Sequence, residues 1–273
     1  MHYRTLLFLT FFISLTCVTS FFESLERQYL GVKEGVYLED MIVEGLLERE
    51  VRDIVEEIAI RYQKAPVEPR IDKMSGEVVS EQTGRFVEIG STVEKVMLAQ
   101  VGETIPIQFH TVLTSHRGAE LQSVTKVIGR YGTSIHGTWQ RVQNIRVASC
   151  SVHNTLLWPG KQFSFNEITG PRTAERGYLP APIILNGGFD MGLGGGVCQV
   201  SSTVYNAVLK AGLPVVERSP HSKPIHYVPV GQDAAVDYGY IDLKFRNNRN
   251  QPIIVKSFVG GGQVIVEIWG GEE

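Results

Sequence analysis

Three cysteines in 273 residues are too few for a disulfide scaffold. Neither a Cys-x-x-Cys pair nor a His-Glu-x-x-His stretch is present, so the familiar zinc spacings are missing. There is no dense Lys/Arg stripe, and the net charge of -3 gives nucleic acid no electrostatic footprint. A phosphate loop ending in Gly-Lys-Ser/Thr and any long internal repeat are also lacking, and no motif calls for a cofactor. What is there is ordinary globular material: 43% hydrophobic and 20% charged residues, enough for one large domain or two modest ones with real cores.

Compartment is read from the first residues. His2, Tyr3 and Arg4 precede an apolar stretch from Thr5 to Phe22, which reads as a secretory leader or a short uncleaved membrane anchor over residues 1–22. Val18 and Ser20 suit cleavage after Ser20, whereas Phe21 and Phe22 suit an anchor; Thr16 before Cys17 disfavours lipidation. The remaining chain is therefore expected outside the cytoplasm, secreted or held at the membrane. Cys150 and Cys198 are then the thiols left to consider.

Hydrophobic periodicity divides that remainder. Val43, Leu47, Val51, Ile54, Val55, Ile58 and Tyr62 predict an amphipathic helix from about Glu39 to Gln63, ended near Pro66. A second helix is expected over Val93 to Val101, with extended runs at Arg85–Ile89 and Ile105–Leu113. These form a small α+β module over about 39–113, followed by a polar connection from Thr114 to Val127. A larger α+β unit spans about 128–270. It is expected to hold a helix from Arg141 to about Leu156, a helix from Gln199 to Ala211 stopped by Gly212, a strand led by Ile225–Val230, and a hairpin across Gly260-Gly261-Gly262. The predicted fold class is α+β, with a cysteine-bearing helix packed on an antiparallel sheet.

The chemistry concentrates at Gly192-Leu193-Gly194-Gly195-Gly196-Val197-Cys198-Gln199, where glycines lead into a helix. A cysteine at a helix start meets unpaired amide donors and the positive end of the helix dipole, which favour thiolate and can hold an oxyanion. Cys198 has three readings: a nucleophile, a buried structural thiol, or a disulfide partner of Cys150. As a nucleophile it needs a histidine base, and that base an orienting acid. His221 is favoured over His226 as the base, and Asp233, Asp237 or Asp242 can orient it. Gln199 or Gln162 can offer an oxyanion amide. Separately, Arg172, Arg176 and Arg218 place guanidinium forks in loops, with Tyr178 beside them; they suit a substrate carboxylate such as a peptide terminus, or pair internally with Glu167, Glu175 or Glu217.

The dispersed motifs make a recognisable set: Arg141 with Asn144-Ile145, the run Pro159 to Asn166, Gly170-Pro171-Arg172-Thr173, Gly177-Tyr178, the run Gly194 to Thr203, Tyr205-Asn206-Ala207, and Glu217-Arg218 with His221-Ser222. Tyr227-Val228-Pro229, Gly231 to Ala235 and Asp242-Leu243 complete it. From about Arg130 to Gly270 the chain closely resembles the VanW domain, named after an accessory protein of vancomycin-resistance clusters. Gln232 and Cys150 depart from its usual aliphatic and small residues. Residues 39–113 resemble the end of a module described as peptidoglycan-binding. The resemblance implies a cell-envelope protein with cell-wall peptide or peptidoglycan as partner. The order of cysteine, helix, histidine and aspartate is similar to transglutaminase-like and papain-like topology, as is Ala211-Gly212-Leu213-Pro214 after the helix. The activity this suggests is cysteine-dependent hydrolysis or acyl transfer on wall peptides, and the alternative is peptide binding without catalysis.

Overall fold

The apolar repeat expected to start a helix at Glu39 becomes helical only at Glu48. A computed structural model, describing residues 22–185 and 188–272, shows why. After a helix over residues 22–30 (α1), the chain makes a tight turn between two short strands, β1 (Tyr37–Leu38) and β2 (Met41–Ile42), with Glu39 at φ 52°. Val43 and Leu47 are buried as the repeat demands, but from extended backbone. Helix α2 (Glu48–Tyr62) then buries Val51, Val55 and Ala59. The Glu50 carboxylate accepts the Leu47 N–H at 2.9 Å and two bonds from the Arg27 fork, so one side chain caps α2 and ties α1 to it.

Residues 69–81 do not stay with this first unit. They form the hairpin of β3 (Arg70–Ile71) and β4 (Val78–Val79), which belongs to the second unit, and the chain returns to the first at Gln82. There β5 (Gly84–Val87), α3 (Ile89–Leu98), β6 (Thr104–Ile105) and β7 (Phe109–Val112) complete the module. Strand β6 pairs parallel to β1, and β5 pairs antiparallel to β7. Its core is Val36, Leu38, Val51, Val55, Val93 and Val96 with their neighbours.

The second unit comprises Pro69–Glu81 and His116–Glu273. The expected connection at 114–127 holds a 3-10 turn at Gly118–Ser123, and β8 begins at Lys126. Four strands form its main sheet, in the order β8 (Lys126–Ser134), β16 (Gln263–Gly270), β15 (Ile253–Gly260) and β9 (Thr155–Leu157), all antiparallel. Strand β16 alternates as a half-buried strand should, with Val264, Val266 and Ile268 inward. Helix α4 (Trp139–Val152) packs on β15, and helix α6 (Val197–Lys210) on β8 and β16. A Cβ at Gly129 would lie 2.3 Å from the Ala207 carbonyl oxygen, so glycine is what lets β8 and α6 close together. Between these helices run β10 (Gln162–Ser164), α5 (Phe165–Thr169) and the hairpin of β11 (Pro180–Leu185) and β12 (Gly188–Leu193); β13 (Val215–Glu217) and β14 (Lys244–Arg246) follow α6. The sheet β10-β14-β13 supports the cysteine-bearing side of the core.

Three expectations change here. The helix from Arg141 ends at Val152, because Asn154 turns with φ 53° into β9. Ile225–Val230 is not a strand; its loop path is set by the polar contacts described below. Strand β12 was unanticipated, since its glycines read as loop. The N-terminal segment expected as leader or anchor lies outside the described residues up to Phe21. Among the described residues, no helix is long and apolar enough to cross a membrane.

The β3–β4 hairpin is pinned by Ile71, packed with Leu121, Trp158 and Ile254, and by Lys73. The Lys73 ammonium donates to Ser151 O at 3.2 Å, His153 O at 2.9 Å and Thr155 Oγ1 at 2.7 Å. Lys73→Met is expected to lower unfolding free energy by about 1–3 kcal/mol through the three abandoned acceptors. Urea denaturation compared with wild type checks this.

Candidate functional site

Helix α6 starts from a loop of three consecutive glycines, and each has a steric reason. A Cβ at Gly194 would lie 2.7 Å from Arg172 Cγ, at Gly195 2.6 Å from Pro182 O, and at Gly196 2.9 Å from Arg141 Cγ. Gly194 and Gly196 also adopt φ of 86° and 108°. The loop is thus pressed between the β11 backbone and the stems of two arginines. Val197 N–H and Gln199 N–H donate to Gly194 O and Gly196 O, each at 3.0 Å, whereas the Cys198 N–H has no backbone acceptor among the described residues. Cys198 is half-buried, and its thiol donates to Val236 O at 3.4 Å. Cys150 is exposed, and both thiols are free.

The polar face of α6 holds the segment that carries the acid. Ser201 donates to Ala234 O at 2.6 Å, Ser202 accepts the Ala234 N–H at 2.9 Å, and Asn206 donates to Gln232 O at 2.7 Å. Asp233 is thereby fixed beside the helix with its carboxylate fully engaged. Its Oδ2 accepts both the backbone N–H and Nδ1 of His221 at 2.6 Å, and Oδ1 accepts from Arg218 Nη2 at 2.8 Å. Arg218 also donates to Asp233 O and Gly231 O and lies over the Tyr205 ring of α6.

With Nδ1 held by Asp233, Nε2 is the His221 nitrogen left to interact with Cys198, which lies within electrostatic reach of the ring. Only 8% of the His221 side chain and 10% of that of Asp233 are exposed. Burial by itself lowers the imidazole, but bonding to Cys198 and Asp233 and their negative charge outweigh it, so His221 titrates above its ordinary value. Burial likewise acts to raise Asp233, and the N–H and imidazole of His221 more than reverse it.

The other expected residues fall differently. Gln199 turns away from the thiol: its amide donates to Thr133 Oγ1 and Ser134 O, and its Oε1 accepts from Arg141, leaving no donor for a substrate oxygen. Arg218 is spent on Asp233 rather than a ligand or Glu217. Tyr178 is fully buried, its hydroxyl without a hydrogen-bond partner among the described residues, so it does not face solvent. Arg176 donates to Thr169 O and stacks against Gly170. His226 is exposed. Asp242 is locked to Ser164 and the amides of Asn166 and Leu243, Asp237 is exposed, and Gln162 lies on β10 opposite Arg246.

Arg172 remains near Cys198, joined by two residues the sequence reading passed over. Arg141, at the start of α4, and Tyr227 both sense the charge of Cys198. The Tyr227 ring stands edge-on to His221 at 6.5 Å. Burial, with the Cys198 charge second, pushes its phenol upward, so it stays protonated. Their signal was membership of the motif set with Cys198. Among the described residues, no group of three or more His, Cys, Asp or Glu side chains could hold a metal ion.

Residues 140–269 match the protein family described as VanW like protein. Over 149 residues, 54% of the chain, it is 40% identical to the uncharacterized protein YoaR of Bacillus subtilis, covering 49% of that protein. Over 113 residues, 40% of the chain, it is 30% identical to the vancomycin B-type resistance protein VanW of Enterococcus faecalis, covering 41% of it. The chain thus spans about half or less of the curated relatives it matches. No solved structure matches it.

The raised His221 value gives a stability contribution fully present below the unfolded value of about 6.5, and lost as pH rises through the folded value. Asp233→Asn is expected to move the imidazole titration downward and flatten that pH dependence. Following the His221 ring protons by NMR and unfolding midpoints across pH 5 to 9 checks both.

Proposed function

We propose that this chain, whose residues 140–269 match the family described as VanW like protein, is a cysteine-dependent hydrolase or acyl transferase of the bacterial cell envelope, acting on peptidoglycan stem peptides. The observation that carries this reading is the buried His221–Asp233 pair, bonded at 2.6 Å, with Cys198 within its electrostatic reach. In the first step His221 Nε2 takes the thiol proton while Sγ bonds to the substrate carbonyl carbon. The free Cys198 N–H is the donor for the resulting oxyanion, the task expected of Gln199. The C–N bond then breaks, and the imidazolium passes its proton to the leaving amine. Water, or an acceptor amine in transfer, attacks the thioester, gives its proton to His221 and releases Sγ. Asp233 holds the Nδ1–H tautomer throughout, and Arg218 positions Asp233.

The cysteine at a helix start followed by histidine and aspartate supports likeness to transglutaminase-like and papain-like enzymes, although His221 stands in a loop rather than on a strand. The apolar N-terminal segment supports export, with attachment to the membrane where it is uncleaved. The first unit resembles a wall-binding module and would hold the enzyme to its polymer.

Iodoacetamide labelling, resolved by peptide mass spectrometry, tests the nucleophile. Cys198 is expected to label near neutral pH, to lose the signal in Cys198→Ser, and to slow by about 100-fold in His221→Ala. An inert Cys198, with peptidoglycan pull-down retained in Cys198→Ala, would replace catalysis by binding alone.

A further inference from the structure

Aromatic rings left in solvent beside the thiol have no part in the reaction above. The Cys198 thiol donates to Val236 O at 3.4 Å, and from there the chain runs into Asp237-Tyr238-Gly239-Tyr240. Tyr238 therefore stands within two residues of the sulfur's acceptor, roughly 8 Å of chain. It is 47% exposed, and Tyr240 86%. The Arg172 guanidinium lies 5.9 Å from the Tyr238 ring centre, and a Cβ at Gly194 in the α6 entry loop would meet the Arg172 stem. At the other end of that loop, Gly196 is pressed against the stem of Arg141. Two residues before Arg141, at the start of α4, Trp139 is 69% exposed.

Both aromatic elements have fixed backbones. Asp237 N–H donates to Ile241 O at 2.9 Å, while Tyr240 N–H and Ile241 N–H donate to Asp237 O at 3.1 Å. Asn166 Nδ2 donates to Asp237 O at 3.0 Å and Ile241 O at 2.9 Å, and Gly239 supplies the φ of 86° that the turn requires. Trp139 opens a capped helix: Thr138 Oγ1 accepts the Arg141 N–H at 3.4 Å, and the Arg141 guanidinium donates to His136 O at 3.1 Å. Such backbones have already lost the freedom that binding removes, and Trp and Tyr have few torsions left to order.

The neighbours of these rings indicate what they hold. Trp139 lies between Thr138 and Gln140, and Tyr238 between exposed Asp237 and Gly239. A stable protein partner needs a continuous contact of about 800 Å² on each side with an apolar centre, which rings set singly among polar residues do not supply. A pyranose matches them: its C–H face lies flat on an aromatic ring, and its hydroxyl and acetamido groups bond the polar neighbours.

From this we infer that Trp139 and the Tyr238–Tyr240 turn form a sugar-binding platform flanking the α6 entry, for a chain of N-acetylated hexosamines. The platform stands on its own geometry; its identification with the glycan strand that bears the stem peptide rests on the thiol reading above. It adds to that reading that the substrate is a peptide still carried on the polymer, held through its sugars as well as its amino acids.

The test uses the full chain and the β-1,4-linked hexamer of N-acetylglucosamine. Calorimetric titration is expected to show saturable binding, weakened about tenfold in Trp139→Ala and in Tyr238→Ala and restored in Tyr238→Phe, which keeps the ring. Trp158 is buried and Trp269 half-buried, so a sugar-induced change in tryptophan emission should vanish in Trp139→Ala. Saturating hexamer should also slow iodoacetamide labelling of Cys198 severalfold and leave exposed Cys150 unaffected.

No saturable binding by the wild-type chain overturns the platform, and so does binding that both alanine variants retain in full. Binding that leaves Cys198 labelling untouched overturns its place beside the thiol. A Cys198 inert without sugar instead removes the thiol reading and the substrate assignment, while calorimetry still decides the platform. The wild-type titration can reject the platform even where a variant fails to fold.

Discussion

The Asp233 carboxylate is the constraint on which the site is built. One oxygen takes two donors from His221 and the other takes Arg218, so a single buried anion fixes the base, its tautomer and the loop that carries it. Removing either partner would leave charge stranded at low exposure, a loss on the order of 3–5 kcal/mol where breaking a buried pair has been characterised. The anion is fixed to α6 through the backbone around it rather than by its own side chain. Ser201, Ser202 and Asn206 bond Ala234 and Gln232, and Ser219 O accepts the Ala235 N–H. Hydroxyl and amide side chains within a helix usually compete with its backbone; here they attach the next segment to it.

The same helix is constrained from its other end by sterics. Its entry glycines are small because Arg141, Arg172 and β11 occupy the volume where side chains would go. Glycine therefore serves charge placement as well as backbone freedom: any residue with a Cβ at 194 or 196 would force an arginine stem away from Cys198. The thiol thus lies within electrostatic reach of both the His221–Asp233 pair and two arginines, which come from distant parts of the sequence.

That distance explains what could and could not be read in advance. The α6 boundary, the closing hairpin and the α+β character follow from local periodicity and glycine punctuation, so they were legible. The pairing of His221 with Asp233 was a choice among candidates that sequence order permits, and only three-dimensional lacing by Ser201, Ser202 and Asn206 distinguishes Asp233 from Asp237 and Asp242. Gln199 was misread because its neighbour is Cys198 in sequence, while on a helix adjacent residues point about 100° apart, and it faces β8. The arginines were grouped by loop composition, which selects exposed forks. Arg141, on a helix, escaped that filter, and Arg218 passed it although Asp233 consumes its donors. Residues 69–81 were assigned by sequence continuity, but Ile71 and Lys73 find their partners in the second unit.

The thiol has Val236 O as its acceptor and an imidazole within electrostatic reach, and the difference between these neighbours separates a structural cysteine from a working one. Donation to Val236 O satisfies the S–H and would suffice for a cysteine that only packs. It needs no imidazole, yet an imidazole is present, with its other nitrogen committed to a buried carboxylate and its titration held high. If the proton moves to His221, the bond to Val236 O is lost and the sulfur becomes an anion beside a carbonyl dipole that no longer attracts it. What offsets that loss in the proposed reaction is the charge on the protonated imidazole left beside the sulfur, which Asp233 holds in place.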